Sequence, residues 1–139
     1  MSKVLWAPLA LIASVAVPIS TQAEEQNSCS SAISTIKISH CISASLQRKD
    51  AQLLAGFQRL AAQAAEVPSP VFTTLWRDNL TGFFQTSADP TIQLGRFQAE
   101  RKKVCAYAKS MAFQGTGYGI FVQQCELALS DALLLQLEP

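Results

Sequence analysis

ISHCISASLQRKDAQLLAGFQRLAAQA, residues 38–64, carries the strongest helical signal in the chain. Ile38, Ile42, Leu46, Leu53, Phe57, Leu60 and Ala64 recur at steps of three, four and seven. Those steps lay apolar side chains along one face of an α-helix. Gln47, Arg48, Gln52, Gln58 and Arg59 fall on the other side. Ser34 and Thr35 precede the stretch as N-cap candidates, because a hydroxyl there accepts a hydrogen bond from a free amide of the first turn. Val67, Pro68, Ser69 and Pro70 end it, since a proline ring disfavours the helical conformation of the residue before it.

The same spacing continues beyond the prolines. A second helix is predicted from Pro70, turning Phe72, Leu75, Trp76, Leu80 and Phe83 inward. Thr86, Ser87, Ala88, Asp89 and Pro90 break it, with Asp89 as N-cap and Pro90 as first residue of a third helix. That helix carries Leu94, Phe97, Val104, Cys105, Ala108 and Ala112 on one side. A last helix is predicted over residues 120–136, with Phe121, Cys125, Ala128, Leu129, Ala132 and Leu133 as its face. No segment alternates as a strand does, and there is no internal repeat. The class is all-α, a small bundle of about four helices.

Two charges interrupt the apolar stripes. Asp50 shares the face of Leu46, Leu53 and Phe57, and Arg101 shares that of Leu94, Phe97 and Cys105. An isolated buried charge costs several kcal/mol, so the economical arrangement is an Asp50–Arg101 ion pair between the first and third helices. Asp50 as a general acid or base would need a second catalytic group, and none is apparent.

The first 23 residues read as a secretory signal. Lys3 supplies a positive start, residues 4–17 are almost entirely apolar, and Thr21, Gln22 and Ala23 offer the small residues of a cleavage site. The mature chain would then be one domain, residues 24–139, secreted or periplasmic, with no membrane anchor. A lipid anchor would need a cysteine directly after the apolar run, and the first is Cys29. Without Lys3 the eleven basic side chains become ten, against ten acidic ones. A neutral chain gives no electrostatic case for nucleic acid or an anionic membrane as partner.

Cys29, Cys41, Cys105 and Cys125 all lie in the mature part, and an even count in a small exported domain reads as two disulfides. Intervals of eleven and nineteen residues do not suit zinc. Four cysteines allow three connectivities, and sequence does not choose among them. The local pairing, Cys29 with Cys41 and Cys105 with Cys125, is the expectation carried forward. His40, the lone histidine, neighbours Cys41, but adjacent helical residues point about 100° apart, which is wrong for a nucleophile and its base.

GTGYG, comprising Gly115, Thr116, Gly117, Tyr118 and Gly119, superficially suggests a phosphate cradle. Such a loop follows a strand, whereas an amphipathic helix leads in here. The stretch reads instead as the bend of a helical hairpin closed by Cys105 and Cys125, its glycines supplying left-handed or tight backbone. Tyr118 either reaches outward as a partner-binding anchor or folds back onto the helices. Glu100 and Glu126, the imaginable glycosidase pair, are both expected to face outward. With one histidine and no nucleophile or metalloprotease motif, the sequence argues against an enzyme and calls for no metal or cofactor.

These pieces together resemble the LprI-type lysozyme-inhibitor family of small exported helical proteins. Its first motif, two cysteines, an Ala-Asp-x-x-Leu stretch and an aromatic, corresponds to Cys29, Cys41, the stretch Lys49, Asp50, Ala51, Gln52 and Leu53, and Phe57. Its second is matched by Phe97, Arg101, Cys105, the glycine-rich turn, Cys125, Leu129 and Ser130. Phe97 stands where the family has tryptophan, Leu94 and Gly95 replace Gln-Arg, Leu133 replaces an arginine, and residues 71–87 look like an added helix. The resemblance implies a non-catalytic exported protein whose partner is a lysozyme or other cell-wall hydrolase, blocked sterically by a disulfide-stapled bundle. An immunity protein against a secreted effector, or a structural or assembly factor of the cell envelope, are the alternatives.

Overall fold

The computed structural model describes Cys29 and residues 34–138; the expected signal segment, residues 1–23, lies outside them. Within residues 34–138 four α-helices follow one another: α1 (Thr35–Glu66), α2 (Phe72–Asp78), α3 (Pro90–Ala108) and α4 (Tyr118–Leu137). A π-helical turn, Asn79–Phe83, prolongs α2, and a 3₁₀ turn, Ser110–Ala112, follows α3. There is no strand among the described residues, so the fold is a small all-α one.

The caps lie where the local chemistry puts them. Ser34 is extended, with φ −142°, and its Oγ accepts from the Lys37 amide at 3.3 Å. Asp89 Oδ1 accepts from Thr91 N at 2.8 Å and Ile92 N at 3.0 Å, with Pro90 opening α3. Val67 turns extended before Pro68 and terminates α1.

α1 is the spine, and its cross-links fix the directions of its neighbours. Ser39 and Ser43 bond the Gln123 amide at 3.0 Å each, Lys49 meets Asp131, and Arg59 Nη2 donates to the Leu137 carbonyl at 2.5 Å. Rising numbers in α1 meet rising numbers in α4, so these helices run parallel. Asp50 instead meets both Gln98 and Arg101 of α3, which runs back between the ends. Gly56 marks a close approach: a Cβ there would stand 2.9 Å from Leu137 Cδ1. A mid-helix glycine costs about 1 kcal/mol relative to alanine, offset here by room for the end of α4.

One apolar cluster gathers Cys29, Ile42, Leu46 and Leu127, with Ile38, Cys41 and Ile120 against it. Leu53 and Cys105 are wholly buried. Both disulfides are local: Cys29–Cys41 and Cys105–Cys125 each hold their Cα atoms 5.6 Å apart.

Several predicted inward faces are corrected. α4 buries Val122, Glu126, Leu127 and Ser130, while Phe121, Ala128, Leu129 and Ala132 lie on its exposed side. Leucine and alanine surround this helix almost completely, so periodicity could not select a face. Buried partners for the charges of α1 and α3 select it instead. Val104 and Leu60 are also exposed, and α2 buries no residue: Leu75, Phe83 and Phe72 face outward. α2 starts at Phe72 rather than Pro70 and is tied back by Thr73 Oγ1, which donates to the Ala64 carbonyl at 3.1 Å.

Replacing both Cys105 and Cys125 by serine frees a loop spanning 20 residues and should cost about 2–4 kcal/mol of stability. The measurement is thermal unfolding followed by circular dichroism, with an Asp89→Ala variant, which removes only a cap worth about 1 kcal/mol, for scale.

Candidate functional site

Two places concentrate chemistry: a buried charge cluster between α1, α3 and α4, and the turn that joins α3 to α4.

Arg101 occupies the centre of the first and is 6% exposed. Its Nη1 lies 2.5 Å from Asp50 Oδ1 and its Nη2 lies 3.2 Å from Oδ2, a two-pronged grip on one carboxylate. Nη1 also donates to Ser130 Oγ at 2.8 Å, and Nε meets Glu126 Oε1 at 3.4 Å. Ser130 Oγ donates to the Glu126 backbone carbonyl at 2.9 Å, and Gln98 Nε2 donates to Asp50 Oδ2 at 2.8 Å. The Phe97 ring centroid is 5.4 Å from the guanidinium carbon, within cation–π range. Beside this group Lys49 Nζ sits 2.9 Å from Asp131 Oδ1. That carboxylate oxygen has no well-directed hydrogen bond, so the contact is ionic rather than hydrogen-bonded. Two cations thus hold three carboxylates.

The structure brings Asp50 and Arg101 together, as their places on the two stripes suggested. Glu126 corrects the sequence reading: it was expected to face outward and is buried against Arg101. The signal was available in the arginine itself. A guanidinium has five N–H donors, and one aspartate accepts only some of them. A second acid and a hydroxyl one turn apart on α4 complete the set. Glu100 is exposed and pairs with Lys103 at 2.8 Å, so Glu100 and Glu126 do not flank a common cleft. Cys41 is bonded to Cys29 and His40 is exposed, so no thiol–imidazole pair exists. No group of three or more histidine, cysteine or acidic side chains suited to a metal occurs among the described residues. By length and composition α4 could cross a membrane, yet its Glu126, Ser130 and Asp131 are engaged by Arg101 and Lys49.

The turn is built differently from the expectation. Glycine 115 N–H reaches the Ala112 carbonyl at 2.9 Å, Tyr118 N reaches Gly115 O at 3.2 Å, and Phe121 N reaches Gly117 O at 3.0 Å. None of its glycines has positive φ; among the described residues the only non-glycine that does is Gln85, with φ 52°. Gly117 is needed for space, because a Cβ there would lie 3.3 Å from Phe121 Cε2. Tyr118 and Gly119 already belong to α4, leaving Gly115 and Thr116 exposed ahead of it. Tyr118 is half-buried and its hydroxyl donates to the Ala106 carbonyl at 2.9 Å, closing a free carbonyl near the end of α3. It is a strut between helices rather than a free anchor.

The exposed side chains of this turn are its neighbours. Met111 is 97% exposed, Tyr107 85% and Phe113 65%. The sequence reading singled out none of them, because they stand off the apolar stripe of Leu94, Phe97, Val104 and Cys105 and exposure beyond the helix end leaves no periodic signal. Elsewhere a cavity of about 250 Å³ opens between Phe57, Leu60, Trp76, Leu80 and Pro90. Its polar edge satisfies itself, with Gln93 Oε1 accepting from Thr86 Oγ1 at 2.5 Å and Ser87 N at 3.4 Å.

The architecture thus defines the class: a disulfide-stapled all-α protein with a buried ionic centre and an apolar turn at one end. No family model, curated protein or solved structure matches the chain.

Arg101→Met should lower stability by about 3–5 kcal/mol, because it leaves buried carboxylates uncompensated. Arg101→Lys should not restore it, since one ammonium cannot grip Asp50 twice and still reach Ser130 and Glu126. Lys103→Ala, which removes an exposed pair, should stay within about 0.5 kcal/mol. Urea unfolding of the three variants gives the comparison.

Proposed function

We propose that this chain is an exported binding protein that inhibits a lysozyme by occluding its cleft. The observation that carries the reading is the turn between α3 and α4. Met111, Tyr107 and Phe113 stand clear of a frame fixed by the Cys105–Cys125 bond and the Tyr118–Ala106 strut. A contact surface held rigid before binding loses little conformational freedom when it docks. Large apolar and aromatic side chains are the residues that anchor protein interfaces. The ionic centre faces inward with its charges paired, so its role is to fix the helices that carry the turn. Two disulfides belong to an oxidising compartment. Export through the N-terminal signal, and the partner suggested by the resemblance to the LprI-type family, complete the reading.

The oxidised protein, beginning at Glu24, should slow turbidity loss of a peptidoglycan suspension by lysozyme. Met111→Asp should weaken the effect at least tenfold, about 1.4 kcal/mol, with the fold intact by circular dichroism. Unchanged lysozyme turnover at a hundredfold molar excess of folded wild-type protein would overturn the proposal.

A further inference from the structure

The chain is close to neutral, yet its charges are not evenly spread. Residues 34–48 and 101–125 contain no aspartate or glutamate. The parallel packing of α1 and α4, with α3 returning between them, brings these two segments to the same half of the molecule, from the level of the Asp50–Arg101 pair to the α3–α4 turn. Gln123 bonds Ser39 and Ser43 there, and Ile120 packs against the cluster containing Ile42. The basic residues of this half include the exposed Lys37, Lys102, Lys103 and Lys109. Lys103 reaches down to Glu100, while Lys37, Lys102 and Lys109 have no acidic partner among the described residues. Arg101 is the exception in position only, its charge consumed inside the bundle. The acids Glu66, Asp78, Asp89 and Glu138 lie toward the other end, on the last turn of α1, around α2, before α3 and after α4.

The same pole carries the exposed Tyr107, Met111 and Phe113. From this coincidence we infer that the lysine-bearing turn docks into an acidic, carboxylate-bearing cleft of a glycan hydrolase, with Met111 and its aromatic neighbours entering and the lysines facing the acids. The inference rests on the inhibitor reading and adds the chemistry of the partner. Charge complementarity is its basis. Hydrolases that cleave glycosidic bonds place paired carboxylates at the centre of the cleft, and a surface whose described residues carry several lysines and, beside Lys103, only Glu100 as an acid is attracted there. A second copy of this chain is a poor occupant, because a symmetric contact would set like-charged poles against each other. Opposite charge also steers the encounter, so association, more than dissociation, should respond to salt.

The test uses wild-type protein, a Lys102→Glu/Lys103→Glu/Lys109→Glu variant and Met111→Asp, all checked for folding. Each is titrated against an active lysozyme and against that lysozyme with its two catalytic carboxylates changed to amides, with binding read by calorimetry. The expected result is at least a tenfold loss of affinity for the charge-reversed variant. Wild-type protein should also bind the amide lysozyme at least tenfold more weakly, and its association rate should fall steeply between 50 and 500 mM salt. Inhibition by wild-type protein that is indifferent to charge reversal, amide substitution and salt overturns this inference while leaving the inhibitor reading standing. No inhibition by wild-type protein overturns both. Vesicles containing phosphatidylglycerol form the last arm: binding to them that Met111→Asp and charge reversal abolish, with no lysozyme binding, assigns the pole to a membrane surface and overturns the inference.

Discussion

Arg101 is the constraint on which the other contacts depend. A buried guanidinium is tolerable only when its donors are occupied and its charge is matched. Meeting that requirement draws Asp50 from α1 and Glu126 and Ser130 from α4 to one point. Three helices are thereby held in a single relative register. Apolar packing alone would leave more latitude, because α4 is apolar around most of its circumference. A buried polar network of this kind specifies arrangement more than it adds stability.

That constraint organises the surface as well as the core. With Glu126 and Ser130 turned inward, Phe121, Ala128 and Leu129 are turned outward. Two residues past the end of α3 the chain makes successive tight turns, and Tyr118 bolts the start of α4 to the Ala106 carbonyl. The Cys105–Cys125 bond prevents the two helices from parting at this end. What protrudes is a short segment whose side chains have no internal partner, on a frame with little freedom to move. A rigid frame with apolar side chains on its outside is the arrangement expected of a protein that acts by contact, and it underlies the inhibitor proposal.

Charge gives a second lesson about scale. Counted along the chain, eleven basic and ten acidic residues nearly cancel and argue for no charged partner. In the folded protein the long acid-free stretches in α1 and around the α3–α4 turn come together in the same half of the molecule. Net charge speaks to the far field, whereas a partner at contact distance meets local charge. The acid-free segments were visible in sequence; that they share a pole follows from α1 and α4 being parallel.

The main helices, their caps and their breaks are legible in the chain, to within a residue or two, because they depend on neighbours within a few residues. Ser34, Val67 before Pro68, and Asp89 with Pro90 are local chemistry, and so is the 3.6-residue rhythm of α1. The sequence by itself also determined that Asp50 and Arg101 needed partners, since each stood on an otherwise apolar stripe. Only the tertiary structure decided which face of α4 is buried, that Glu126 joins the ionic centre, and that Tyr118 points inward while Met111 points out. Those outcomes depend on residues brought together across 12 positions or more of chain, or on competition between nearly equivalent apolar faces. Hydrophobic periodicity ranks faces by apolarity; the requirement to neutralise a buried charge overrode that ranking.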